Sequence, residues 1–192
     1  MLDLLISHPW LVAVLWAALY VFDYASTLWL AGAYQTVLSE HMVYEGGVEL
    51  NPNLEKAIAR RQAPGPRIFV VVALVLIIVL LSGLLGVYFV EFVAGALLLT
   101  WIFIDSRHVR NYAYVWFLRR KPDSLKGRSQ YSYWLLQKLL SSEAFTFCLL
   151  YIFLTFLTWR LFFLAGTLAC LSLAVRHSRL ANRKLPDKPL DA

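Results

Sequence analysis

The chain has 192 residues, of which 60% are hydrophobic and only 16% charged, with a formal net charge of +6. Soluble domains carry about 25% charged residues, so this composition argues against an ordinary soluble fold and leaves room for one membrane-embedded unit with its loops. Cys148 and Cys170 both sit in apolar runs without a C-x-x-C spacing, which speaks against a disulfide framework or a cysteine zinc site.

No Lys or Arg precedes the first apolar run, so the positive region of a signal peptide is missing. Residues 10–31 read as a retained first span, long enough for a hydrocarbon core about 30 Å thick. Asp23 stands in the middle of that span, where a carboxylate costs on the order of 3 kcal/mol unless it faces a partner, a cavity or a substrate. The loop over 34–66 then carries Glu45, Gly46, Gly47, Val48, Glu49, Leu50, Asn51 and Pro52. Asn51 suits an N-cap and Pro52 a first helical position, and the helix expected from Pro52 to about Gln62 has the amphipathic pattern of a membrane-interface element.

From Ile68 to Ile104 the one charge is Glu91, and the run is long enough for two spans, 68–84 and 88–106, turning near Ser82, Gly83 and Gly86. A polar loop, 107–138, follows. The run from Leu139 to Val175 carries charge only at Glu143 and Arg160 and reads as a second hairpin, 139–157 and 161–176, turning near Thr158, Trp159 and Arg160. A basic tail, 177–192, closes the chain. The expected fold is all-α: a single polytopic bundle, 1–192, of about five membrane helices plus the short interfacial helix.

With the N-terminus outside and the two long loops and the tail inside, 17 of the 18 Lys and Arg residues are cytoplasmic and only Arg160 is not, in accord with the positive-inside rule. Trp10 and Trp159 then belong to the outer interface, and Trp29, Trp116 and Trp134 to the inner one. The expected location is the plasma membrane, N-terminus out and C-terminus in. No nucleic-acid motif accompanies the basic tail, so its expected partners are the anionic headgroups of the cytoplasmic leaflet, not nucleic acid.

This topology gathers Asp23, Asp105 and Glu143 toward the cytoplasmic leaflet and leaves Glu91 on the other side. On a helix, Tyr20, Asp23 and Thr27 share a face, as do Asp105, His108 and either Asn111 or Tyr112. Each has a plain structural alternative. Asp23 can hydrogen-bond a neighbouring helix, Asp105 can pair with Arg107 or Arg110 at a hydrated interface, and Glu143, beside Ser141 and Ser142, can complement a helix start.

The set Asp23-x-x-x-Thr27, Gly32 and Glu49-x-Asn51-Pro52, opening into another span, resembles a family of small prokaryotic helical membrane proteins of unknown function over roughly the first 85 residues. The resemblance implies a helical membrane domain in which Asp23, Thr27, Glu49, Asn51 and Pro52 occupy the motif positions. The stretch between Asp23 and Glu49 is longer here than in the family, the last three spans extend beyond it, and no activity comes with it.

On these residues the leading expectation is a non-catalytic membrane subunit or scaffold, docking on a membrane-protein partner or a second copy. Small-residue faces at Ala94, Gly95 and Ala96 and at Ala165, Gly166 and Ala169 would permit such contact. One alternative is a membrane enzyme acting on a lipid or prenyl phosphate. There Asp23, Glu49, Asp105 and His108 would be catalytic, Asp23, Glu49, Asn51 and Asp105 would hold Mg²⁺ or Mn²⁺, and Thr27, Arg107 and Arg110 would engage the lipid. The other is a proton- or cation-coupled carrier using Asp23 and Glu143.

Overall fold

The computed structural model describes residues 2–39, 41–44 and 67–183. Its helices are α1 (Leu2–Ser7), α2 (Pro9–Ala33), α3 (Arg67–Leu85), α4 (Val87–Arg120), α5 (Tyr133–Thr158) and α6 (Leu161–Ala181). Among the described residues α2, α4, α5 and α6 are each long and apolar enough to cross a membrane, and α3 is a further apolar helix of 19 residues. The protein is a multi-pass, all-α membrane bundle. The interfacial helix expected from Pro52 lies outside the described residues.

Local chemistry sets the breaks. Pro9 opens α2, where its missing N–H is harmless, and α2 runs unbroken past Asp23 into a π-helical turn, Tyr34–Leu38. Gly86 alone separates α3 from α4, with φ 103°, a conformation that suits glycine. Ser82 and Gly83 belong to α3 instead of the turn, and the Ser82 hydroxyl donates to the Val79 carbonyl at 2.7 Å. Ser132 caps α5 by accepting the Leu135 N–H at 3.2 Å, and the α5–α6 turn falls at Trp159 and Arg160 as expected, with Trp159 left-handed at φ 54°.

α4 is the central element, touching α1, α2, α3 and α6, while α5 packs on α6. The small residues are used inside the bundle. Gly95 lies so close to the Phe162 backbone that a Cβ would collide with it, and Gly166 meets Leu99 and Tyr151 in the same way. These two glycines therefore form an internal seam between α4, α5 and α6 and are not free partner faces. The outward rows, such as Leu74, Ile77, Leu80 and Leu84 of α3, are exposed, as lipid-facing surface should be.

At 34 residues, α4 is about 51 Å long, well beyond a 30 Å hydrocarbon core. It does not end at 106. Its final turns bury Val115 and Leu118 against Leu30, Ala33 and Leu38 in a second, smaller core. Beside it a parallel two-stranded ladder joins β1 (Met42–Tyr44) to β2 (Ser129–Tyr131), in the register Met42 to Ser129 and Tyr44 to Tyr131. At the opposite end of the bundle, Arg160 reaches Asp3 at 2.5 Å and Glu91 at 3.8 Å, tying α1, the start of α4 and the α5–α6 turn. The Arg160 guanidinium holds the exposed Asp3 carboxyl below its ordinary range.

Candidate functional site

The helical phase of α4 sends its polar residues to two sides. Asp105 and His108, three apart, face α2; Arg107 and Arg110, also three apart, face α5.

On the α2 side, His108 Nε2 and Asp23 Oδ1 are 2.7 Å apart and share a hydrogen bond. Asp105 is 6% exposed, and both of its carboxylate oxygens are buried with no hydrogen-bond partner among the described residues, as is His108 Nδ1. One ligand atom from each of Asp23, Asp105 and His108 can be chosen so that all lie within 4.8 Å of one another. A buried carboxylate without a partner is rare, because desolvation without compensation is costly. Asp105 is therefore the residue of this cluster that calls for a ligand.

Aromatic layers close the cluster above and below. One turn before Asp23, Tyr20 stacks on Trp16 at 5.2 Å between ring centroids, and Trp101, one turn before Asp105, meets Trp16 at 5.6 Å and Tyr20 at 5.8 Å. One turn beyond, the Tyr112 hydroxyl donates to Ser26 Oγ at 3.3 Å, and its ring lies 4.4 Å from that of Trp29. The expected stripes through Tyr20, Asp23, Asp105, His108 and Tyr112 thus meet across one helix interface. Ser26, buried, stands beside Tyr112, while Thr27, expected on the face of Tyr20 and Asp23, is partly buried.

On the α5 side, Glu143 is hydrogen-bonded and ion-paired to Arg110, and its other oxygen lies 3.7 Å from Arg107 Nε. These three residues, with Phe103, Ser106, Thr146 and Phe147, line a cavity of about 210 Å³. Three expectations change accordingly. Arg107 and Arg110 pair with Glu143 and not with Asp105. Glu143 lies well inside α5, not at a helix start. Asp23 and Glu143, expected to serve a carrier together, stand on opposite sides of α4. Glu49, Asn51 and Pro52 lie outside the described residues.

Ser26 and Trp101 were not among the expected site residues. The signal for Trp101 is its spacing: Trp101, Asp105, His108 and Tyr112 form an i−4, i, i+3, i+7 row once α4 continues past 106. Ser26 had none, since its neighbour Thr27 offers the same hydroxyl.

No protein-family model matches the chain, and no curated protein or solved structure is significantly similar to it.

Proposed function

We propose that this is a metal-dependent membrane protein that holds one divalent cation between α2 and α4 through Asp23, Asp105 and His108. The observation that carries the reading is Asp105, buried at 6% exposure with both oxygens unpartnered among the described residues beside two other ligand-type groups. A cation would replace the hydration that burial removed. Two carboxylates with an imidazole suit Mn²⁺ or Zn²⁺ better than Mg²⁺, which favours all-oxygen surroundings. Binding needs His108 Nε2 as a lone-pair donor, so the Asp23–His108 hydrogen bond would give way to coordination, with the imidazole proton carried on Nδ1.

Three protein ligands leave coordination positions for water or a ligand oxygen, the arrangement of hydrolytic and transfer centres. That supports the enzyme reading over the scaffold, whose small-residue docking faces are occupied within the bundle. It acts at the cytoplasmic leaflet of the plasma membrane in the orientation that the charge asymmetry favours, N-terminus outside. Arg107 and Arg110, engaged with Glu143, are not assigned to the substrate.

Elemental analysis of purified protein tests this. The expected result is about one Mn or Zn per chain, lost in Asp105→Asn and His108→Gln while both variants still insert and elute as the wild type does. Absence of stoichiometric metal, together with no thermal shift on adding Mn²⁺ or Zn²⁺, would overturn the reading.

A further inference from the structure

A larger cavity, about 470 Å³, lies beyond the cation cluster, where the end of α2 passes α4; Leu28, Trp29, Gly32, Ala33, Thr36 and Arg119 line it. From Asp23 to Gly32 the helix rises about 14 Å, so the two sites are separate. Its walls are largely apolar, and Gly32 and Ala33 make room by their small size. The Thr36 hydroxyl is already satisfied by the carbonyls of Gly32 and Ala33. Arg119 is the one charged residue of the lining. Its guanidinium lies 5.7 Å from the Trp29 ring centroid, and it has no carboxylate partner among the described residues.

Depth selects the class of ligand. Trp10 and Trp29 are both exposed and stand about 28 Å apart along α2, close to one hydrocarbon thickness. Trp10 thus marks one interface and Trp29 the other, in keeping with the aromatic belts of membrane proteins. The cavity opens at headgroup level, with a cation that has no carboxylate partner among the described residues above an apolar wall. We propose that it binds an anionic phospholipid, the phosphate on Arg119 and the start of an acyl chain along Leu28 and Trp29. This holds for whichever leaflet surrounds the end of α2 and does not depend on the cation reading.

Native mass spectrometry of the detergent-purified full chain, with phosphatidylglycerol and phosphatidylcholine added at equal amounts, provides the test. The wild type should retain phosphatidylglycerol several-fold over phosphatidylcholine. Arg119→Gln should bring that ratio close to one, and Arg119→Lys should keep part of it. Gly32→Leu, which fills the cavity and leaves Arg119 in place, should lower retention of phosphatidylglycerol, so the test survives misfolding of either variant. Asp105→Asn should leave retention unchanged, separating this site from the metal. An equal preference in wild type and Arg119→Gln, or no preference in the wild type, would overturn the proposal. So would displacement of the bound phosphatidylglycerol by millimolar inorganic phosphate, which would assign Arg119 to a soluble anion.

Discussion

Glu143 and Asp105 are both carboxylates set among membrane helices on either side of α4, and they are treated in opposite ways. Glu143 is enclosed by Arg107 and Arg110, so its charge is answered within the fold and the contact ties α4 to α5. Asp105 is the more deeply buried of the two and, among the described residues, has neither hydrogen-bond partner nor arginine; its nearest polar company there is another carboxylate, Asp23, and a histidine. A bundle that has arginines two and five residues beyond Asp105, yet turns them away by helical phase, keeps one carboxylate for structure and leaves the other for a ligand.

That contrast can be broken by mutation. The largest effect should come from the seam that holds α4 in register: Gly95→Val places side-chain atoms against the Phe162 backbone, and overpacking of this kind costs about 3 kcal/mol. Thermal unfolding in detergent should show it as a fall of several degrees, or as loss of monodisperse protein. Next, Glu143→Gln leaves two guanidinium groups without their anion. It should destabilise by about 2 kcal/mol, the range for a charged hydrogen bond, read by the same melting experiment.

Asp105→Asn should act with the opposite sign. In metal-free protein it removes a buried carboxyl that has no hydrogen-bond partner among the described residues, which is neutral to stabilising, so its melting temperature should equal or exceed that of the wild type. The rise that Mn²⁺ or Zn²⁺ gives the wild type by mass action should vanish. If Asp105→Asn and Glu143→Gln destabilise alike, the distinction between the two carboxylates fails.

The smallest effect belongs to Asp3→Asn. The folded-state carboxyl of Asp3 titrates below its ordinary value of 3.8 because of Arg160. Its contribution is therefore present above that value and lost as pH falls through the lowered one. The variant should lie slightly below the wild type at pH 7, and the gap should close in acid and in about 1 M salt, where exposed pairs are screened.

Much of the bundle is legible from residue type alone. The apolar runs around Ile68–Ile104 and Leu139–Val175 exceed one bilayer crossing, and Gly86 and the Trp159–Arg160 pair interrupt them where a turn is needed. The extension of α4 to Arg120 is not, because residues 107–120 mix Arg, Asn, Tyr and Trp and hydropathy stops tracking the helix there. That error of length carried over into the site. With the helix ended near Asp105, Arg107 and Arg110 looked like loop cations free to reach it, whereas a continuous helix places residues two or five apart on different faces. The pairing of Asp23 with His108, 85 residues apart, is tertiary and leaves no trace in local spacing. The same holds for the answer to Glu91, supplied by an arginine from the α5–α6 turn.

The most direct test is pulsed electron paramagnetic resonance on the full chain loaded with one equivalent of Mn²⁺. A site built from Asp23, Asp105 and His108 predicts a directly bound ¹⁴N coupling in the wild type. That coupling should be absent in His108→Gln and persist in Glu143→Gln. A manganese signal without nitrogen coupling in the wild type, or one that His108→Gln leaves unchanged, would contradict the account.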